Sequence, residues 1–422
     1  MVRRRVKMEK TTEELYKERD KRVTDAILLK IPDRVPVQAS FGCFAARWSG
    51  IPCSTAYYDY DRWLEVFKKA CVDFAPDVVY VTPFSPGKAM EYLDIRQMKW
   101  PGHGVSPEHS YQFVEGEWMK GDEYDEYLNN PADFALRVLL PRTCGAMEPF
   151  KILPPIASMA SGYMGPMSLA AAFATPEVAS AIEKLQNAGR EIIKWRPKMT
   201  EFSNEIEKIG FPVWGKGGAG APFDAVSDVL RGMRGSMLDM YERPDKLLEV
   251  CERQLTRSLE MIKAMGQGDG KTRVFMALHR GADGFMSLKQ FEKFYWPGLK
   301  AVIIAFVDAG YLPCVFFEGD YTSRLEYLLE LPRGKVVAHL DSTDIFKAKE
   351  ILKDHMCFRG NVPASLLQTG TPDDVRDYVK KLIDVVGKDG GLIVSSRSSL
   401  DEVKAENLKM MIDFTKEYGV YK

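Results

Sequence analysis

The sequence predicts an α/β protein folded as a (β/α)8 TIM barrel, and three observations carry that reading. Eight short apolar runs recur along the 422 residues, most are followed by a helical pattern, and they lack a solvent-facing polar alternation. Strands of that kind are parallel and covered on both faces. Eight of them with intervening helices fit a barrel better than an open doubly wound sheet.

In chain order the runs are "VPVQA" (35–39), "DVVYVT" (77–82), "FPVWG" (211–215), "RVFMAL" (273–278), "PCVFF" (313–317), "KVVAHL" (335–340), "MCFRGN" (356–361) and "GLIVSS" (391–396). Helical patterns separate the later ones: "SLKQFEKFYWPGLKAVIIAFVDAG", "TSRLEYLLEL", "TDIFKAKEILKDH" and "TPDDVRDYVKKLIDVVG". The last opens with Thr371-Pro372-Asp373-Asp374, a hydroxyl N-cap, then proline at the first helical position, then acids that suit the helix dipole. About 130 residues separate the second and third runs, too many for a plain connection. Residues 84–208 are therefore expected to form an inserted lid or partner surface within a single barrel domain spanning 1–422. The first part of this stretch is aromatic and turn-rich; the second, roughly 174–208, is helical.

Composition narrows the function classes. The chain is 45% apolar with a formal net charge of −1, enough for a sizeable core and without the basic excess that a nucleic-acid groove needs. "MVRRRVKMEK" at the start is basic, but no apolar stretch follows it, so it reads as a frayed or locally docked arm and not a secretory signal. No run of about 18 apolar residues exists, so no membrane span is expected. Seven scattered cysteines without a CxxC pair indicate reduced thiols and a cytoplasmic protein.

In a βα barrel the chemistry sits at the C-terminal ends of the strands. The fourth run ends at His279, Arg280 and Asp283; the fifth at Glu318, Asp320 and Tyr321; the sixth at His339 and Asp341. The seventh ends at Arg359 and Asn361, and the eighth at Ser396 and Arg397. Two of the chain's five histidines fall at these ends. His279, Glu318 and His339 have the residue types to hold Zn²⁺ or Fe²⁺ with one position open. The same groups equally serve as general acid and base without a metal. Structural readings stand beside both: His339 as a hydrogen-bonded core histidine, Asp341 as a helix N-cap, Asp320 as turn chemistry. The glycine-rich "GKGGAGAP" (215–222) is either an anion cradle or a close-packing turn, and lacks the spacing of a nucleotide loop. "ASMASGYMGPMSLAAAF" (157–173) suits an apolar pocket wall or a core segment.

Several stretches carry a family resemblance: "IPDRVPV" (31–37), "APFDAVSDVLRGMRGSMLDMYERPDKLLEV" (221–250), "MSLKQFEKFYWPGLKAVI" (286–303), "FRGNVPASLLQTGTPDDVRDYVKKLID" (358–384), and "GGLIVSS" followed by "AENLKMMIDFTKEYG" (405–419). In these the chain resembles the uroporphyrinogen decarboxylase superfamily, specifically its corrinoid-dependent methyltransferase branch, over most of its length except about 84–208. The resemblance implies the (β/α)8 barrel. Departures from the family pattern redirect the function. Where tetrapyrrole decarboxylases carry an "RQAGR" type signature, this chain reads "QASFGCFAARWSG" (38–50). Where thiol methyltransferases carry a zinc-binding HxC motif and a late cysteine, it has Phe316-Phe317-Glu318-Gly319 and Ser398.

What the resemblance then implies is transfer of a methyl group from a methoxylated or methylated small molecule to the Co(I) of a corrinoid protein. The corrinoid cofactor would sit on that partner protein, with zinc only if His279, Glu318 and His339 bind a metal. Glu318, His279 and Asp283 are the expected catalytic residues; Arg280, Tyr321, His339, Asp341 and Arg397 are expected to bind substrate. A homodimer is left open, and neither nucleic acid nor membrane is expected as a partner. Two alternatives remain: a decarboxylase or lyase of a small aromatic acid, and a non-catalytic corrinoid- or ligand-binding subunit.

Overall fold

The computed structural model describes residues 10–81, 86–159, 161–215 and 217–422. The basic residues 1–9, Thr82 at the end of the second run, residues 84–85 at the start of the expected lid, Ala160 and Lys216 lie outside them. Five expected strands form one parallel ladder in chain order: Arg273–Leu278, Leu312–Phe317, Val337–Leu340, Cys357–Val362 and Leu392–Ser396. Gln38–Ala39 and Val78–Val79 form a separate parallel pair. Parallel bridges join Val37 to Val394 and Val79 to Val213, and the Phe275 N–H donates to Gly217 O at 3.3 Å. The arrangement is an α/β fold consistent with a TIM barrel, although among the described residues one continuous ladder does not run around it.

The expected third strand is thus a single bridge at Val213, and the first two shrink to two residues each. The first and third runs each contain a proline. Pro36 and Pro212 have no N–H, so they only accept, from Val394 at 2.9 Å and from Val79 at 3.1 Å. Residues 322–330, expected as an ordinary helix, form 3₁₀ turns. The Thr371 cap holds as expected, with Thr371 Oγ1 accepting from the Asp374 N–H at 3.2 Å and Asp374 returning the bond at 2.9 Å.

Alternation along the strands sorts the side chains. Val274, Met276, Leu278, Val315, Phe317, Ala338, Leu340 and Phe358 face outward into the main core with the helices. Each such burial contributes roughly 1.5–3 kcal/mol. The inner face is layered. Its floor is apolar: Val78, Trp214, Leu312, Cys314, Val337, Cys357 and Ile393 pack on Val23, Ala26 and Ile27 of the helix Thr12–Ile27. That helix is anchored by Arg22, which reaches Asp77 at 2.8 Å and Asp33 at 2.6 Å, while Arg34 reaches the same buried Asp77 at 2.6 Å. In the next layer Phe316, His339 and Arg359 stand side by side in register. Two residues further along their strands come Glu318 and Asp341, at the rim.

Between Val79 and Val213 lie a small sheet, in which Met98–Pro101 pairs with Gly104–Val105 and Gln112–Phe113, and the 33-residue helix Pro176–Lys208. Among the described residues no helix is long and apolar enough to cross a membrane.

Candidate active site

At the rim a cavity of about 600 Å³ is lined by Tyr111, Phe113, Asp228, His279, Arg280, Phe285, Glu318, Gly319 and Asp341. Its centre is the turn after Arg273–Leu278. Asp224, buried on the helix Pro222–Val226, accepts from the His279 N–H at 2.9 Å, the Arg280 N–H at 3.0 Å and the Tyr295 hydroxyl at 2.7 Å. Three donors on one carboxylate fix the backbone that carries both cations. Loss of water nevertheless dominates, pushing the Asp224 carboxyl up to about 6.

One helical turn later Asp228 faces the same strand end. Its Oδ2 lies 2.5 Å from His279 Nδ1, and its Oδ1 lies 3.3 Å from the Arg280 guanidinium. The Asp228 hydrogen bond favours imidazolium and raises the His279 pKa above its ordinary value, against the opposing effect of burial. With Nδ1 engaged, Nε2 is the ring atom left for the cavity, and Glu318 Oε2 lies 4.0 Å from it. The cavity wall strips water from the Glu318 carboxyl and raises its pKa; His279 opposes this and Asp341 adds to it. Glu318 can turn out of its strand because Gly319 follows at φ +88°, where a side chain would strain the backbone and meet Ala282. Arg280 is steered by Ser227 Oγ at 3.0 Å and by Glu115 at 3.4 Å.

Four expected site residues therefore converge: His279, Arg280, Glu318 and Asp341, the last accepting from the Gly319 N–H at 3.0 Å. The others lie elsewhere. Asp283 is tied to Arg324 and to Ser323, accepting from its N–H at 3.0 Å and its hydroxyl at 2.9 Å, so it staples one loop to the next. Tyr321 is buried, its ring edge-on to Phe317 at 5.1 Å. Arg397 turns to the Asn361 carbonyl, 3.4 Å away. His339 is a buried layer below the rim, with Nε2 3.3 Å from Ser396 O and its ring 4.5 Å from that of Phe316. Burial, reinforced by the Arg359 charge, drives its pKa well below the usual histidine value. His279, Glu318 and His339 are thus not a ligand set, and no group of three His, Cys, Asp or Glu among the described residues is placed to hold a metal. Asp320 is turn chemistry, accepting from the Thr322 N–H at 2.8 Å. The helix cap weighed for Asp341 belongs instead to Asp344.

The strand-end rule missed Asp224 and Asp228, which come from the helix after the glycine turn. Their i,i+4 spacing in "FDAVSD" puts both on one helix face, and that was the available signal. Tyr111, Phe113 and Glu115 were missed because they come from the 84–208 stretch, where no strand end pointed to them.

A family model described as uroporphyrinogen decarboxylase matches residues 173–418. Among curated proteins, a uroporphyrinogen decarboxylase from Syntrophotalea carbinolica is 22% identical over 219 residues, 50% of this chain and 60% of that protein. One from Chlorobaculum parvum is 25% identical over 185 residues, 42% of this chain and 51% of that one. The matches thus span only about half to three-fifths of those relatives. A solved methyltransferase from Methanosarcina mazei superposes with a TM-score of 0.59, covering 95% of this chain and 98% of its own at 14% identity. At that identity the likeness concerns the fold.

Proposed function

The chain belongs to the uroporphyrinogen decarboxylase family, and within it we propose a methyltransferase that moves a methyl group from a methoxylated or methylated small molecule to a corrinoid on a separate protein. One observation carries the reading: His279, oriented by Asp228, has Glu318 4.0 Å from its cavity-facing nitrogen. Both groups have raised pKa values, so both hold protons closer to neutrality than free side chains of their kind. A demethylated oxygen or nitrogen is a poor leaving group unless it receives a proton as its bond to the methyl carbon breaks. Glu318 and His279 form the acid couple that supplies it, and solvent reprotonates the couple after product leaves. Arg280 and Asp341 border the same space and orient the donor.

A complete corrinoid with its side chains is larger than this cavity, so it would remain on its own protein and meet the mouth. Tyr111, Phe113 and Phe285 suit that role, being 48%, 45% and 37% exposed. When bound there, the corrinoid supplies the cobalt(I) nucleophile that takes the methyl group.

The test is anaerobic mixing of the protein with a reduced corrinoid protein and a panel of methyl ethers, methylamines and methyl thiols. Loss of the cobalt(I) absorbance with one donor class is expected. Glu318→Gln, with unchanged melting temperature, should slow it by about 10³-fold. Unchanged turnover in that variant would sink the assignment. Release of CO2 from a small aromatic acid, with no cobalt change for any donor, would favour the decarboxylase reading.

A further inference from the structure

The rim cavity carries more negative charge than its own cations balance. Asp228, Glu318 and Asp341 line it and Glu115 reaches its wall, against Arg280 and His279. The lining therefore stays negative even with His279 and Glu318 both protonated. Both cations are engaged within the wall. Arg280, with 14% of its side chain exposed, lies 3.3 Å from Asp228 and 3.4 Å from Glu115, and its guanidinium carbon is 5.5 Å from the centre of the Phe285 ring. His279 faces Asp228 through Nδ1. The nearest cation to Glu318 is the His279 ring, 4.0 Å away. Asp341 accepts from the Gly319 N–H at 3.0 Å and the Ser342 hydroxyl at 3.1 Å, both at Oδ2. Among the described residues its Oδ1 has no donor and the carboxylate has no cationic partner.

The rest of the wall is aromatic and defines which cation fits. Tyr111, Phe113 and Phe285 line the same space. Phe285 already holds a cation, the Arg280 guanidinium, whereas among the described residues none lies over Tyr111 or Phe113. A ring face attracts cations through its negative quadrupole, and a methylated ammonium, which presents methyl groups in place of N–H donors, is the group such walls select. The negative field extends to Tyr111: burial, then the charges of Asp401 and Glu318, raise its hydroxyl pKa. A metal ion is a poor match, because no three His, Cys, Asp or Glu among the described residues are placed to hold one. A bare ammonium keeps its water more tightly and gains less from the rings. An anion would meet carboxylates that lack counter-charge.

We propose that the rim cavity takes a protonated N-methylated amine, its methyl groups against Tyr111 and Phe113 and its charge facing Glu318 and Asp341, so that the methyl donor is an amine and not an ether or a thioether. This deepens the methyltransferase reading and rests on it for the word donor; the ammonium site itself does not. As the methyl carbon passes to the reduced corrinoid, the electron pair of the C–N bond returns to nitrogen. The nitrogen keeps the proton it arrived with and leaves as a neutral amine, and Glu318 with His279 holds that proton in place until the bond breaks. Asp341 is the positioning group for the charge.

The test is calorimetric titration of the full chain at neutral pH, without corrinoid, using three probes of one shape: 2-(dimethylamino)ethanol, a cation; 3-methylbutan-1-ol, its uncharged carbon isostere; and 3-methylbutanoate, an anion. The amine should bind, with the alcohol weaker by about 10- to 30-fold and the anion weaker still. Asp341→Asn, which keeps an acceptor for Gly319, should weaken the amine by about 10-fold and leave the alcohol unchanged. Phe113→Leu should weaken the amine by about 3- to 10-fold. An alcohol or anion that binds as tightly as the amine, or no binding of the amine, overturns the proposal even if a variant fails to fold. Amine binding without methyl transfer to corrinoid from any N-methylated donor would support the ammonium site and count against the methyltransferase. Transfer from methyl ethers or thiols alone would keep the methyltransferase and overturn the ammonium site as its donor site.

Discussion

Two histidines face the same interior, two strands apart, and their surroundings drive them in opposite directions. His279 sits at the rim with 40% of its side chain exposed and a carboxylate 2.5 Å from Nδ1. His339 is one layer down, 4% exposed, stacked on Phe316 and next to the Arg359 guanidinium. The first is held toward imidazolium, the second toward imidazole. Position at a strand end is therefore only half of what sets a histidine's protonation. The rest is which charge faces it, and that charge comes from another part of the chain.

Removing the rim acid should produce the largest effect: His279→Gln is expected to cut methyl transfer by about 10²–10⁴-fold, measured as single-turnover loss of cobalt(I) absorbance. Asp228→Asn keeps the ring but removes its charge partner, so a loss of about 10–100-fold is expected. The acidic couple should then lose its proton at lower pH, and the rate profile should shift to lower pH with it. A change in rate without a shift in the profile would assign Asp228 a purely structural role.

The same pair contributes to stability with a definite sign. The folded His279 pKa lies above the unfolded value, so its contribution is fully present below about pH 6.5 and disappears as pH rises through the folded value. Denaturant melts of wild type against Asp228→Asn should therefore diverge most below pH 6.5, by no more than about 1 kcal/mol because solvent screens a ring this exposed. The smallest effect tests the other histidine. By NMR, His339 should remain neutral through the range in which His279 titrates, and Arg359→Met should move the His339 pKa upward by removing the adjacent positive charge. A His339 that titrates alongside His279 would erase the contrast.

The strands that could be read from sequence were the five that pair continuously with one another. "RVFMAL" appears as the strand Arg273–Leu278, and four more C-terminal runs fall within a residue or two of their observed bounds. "VPVQA" and "FPVWG" pair only through two residues or a single bridge; each loses a ladder donor to proline, although the fifth run keeps its strand with Pro313 inside it. The candidate site was legible where a run ends at the rim, as with His279, Arg280, Glu318 and Asp341, which line one cavity. It was hidden where partners lie far apart in the chain: Asp228 is 51 residues from His279, and Glu115 is 165 from Arg280. Asp283 shows the converse: its place after the fourth run singled it out, and in the structure it is tied to Arg324 and Ser323 of the next loop, outside the rim cavity.

The uneven stitching of the inner wall has a consequence for how the molecule breathes. One side is a five-strand ladder in which each amide is shielded by its neighbour, whereas Val37, Val79 and Val213 are held by isolated bridges. Transient opening concentrates where few hydrogen bonds must break together. Amide protons around Val79 and Val213 should therefore exchange with solvent sooner than those of Val315 or Phe358. The wall carrying Glu318, His339 and Arg359 should therefore stay closed under conditions in which the wall carrying Val79 and Val213 already opens.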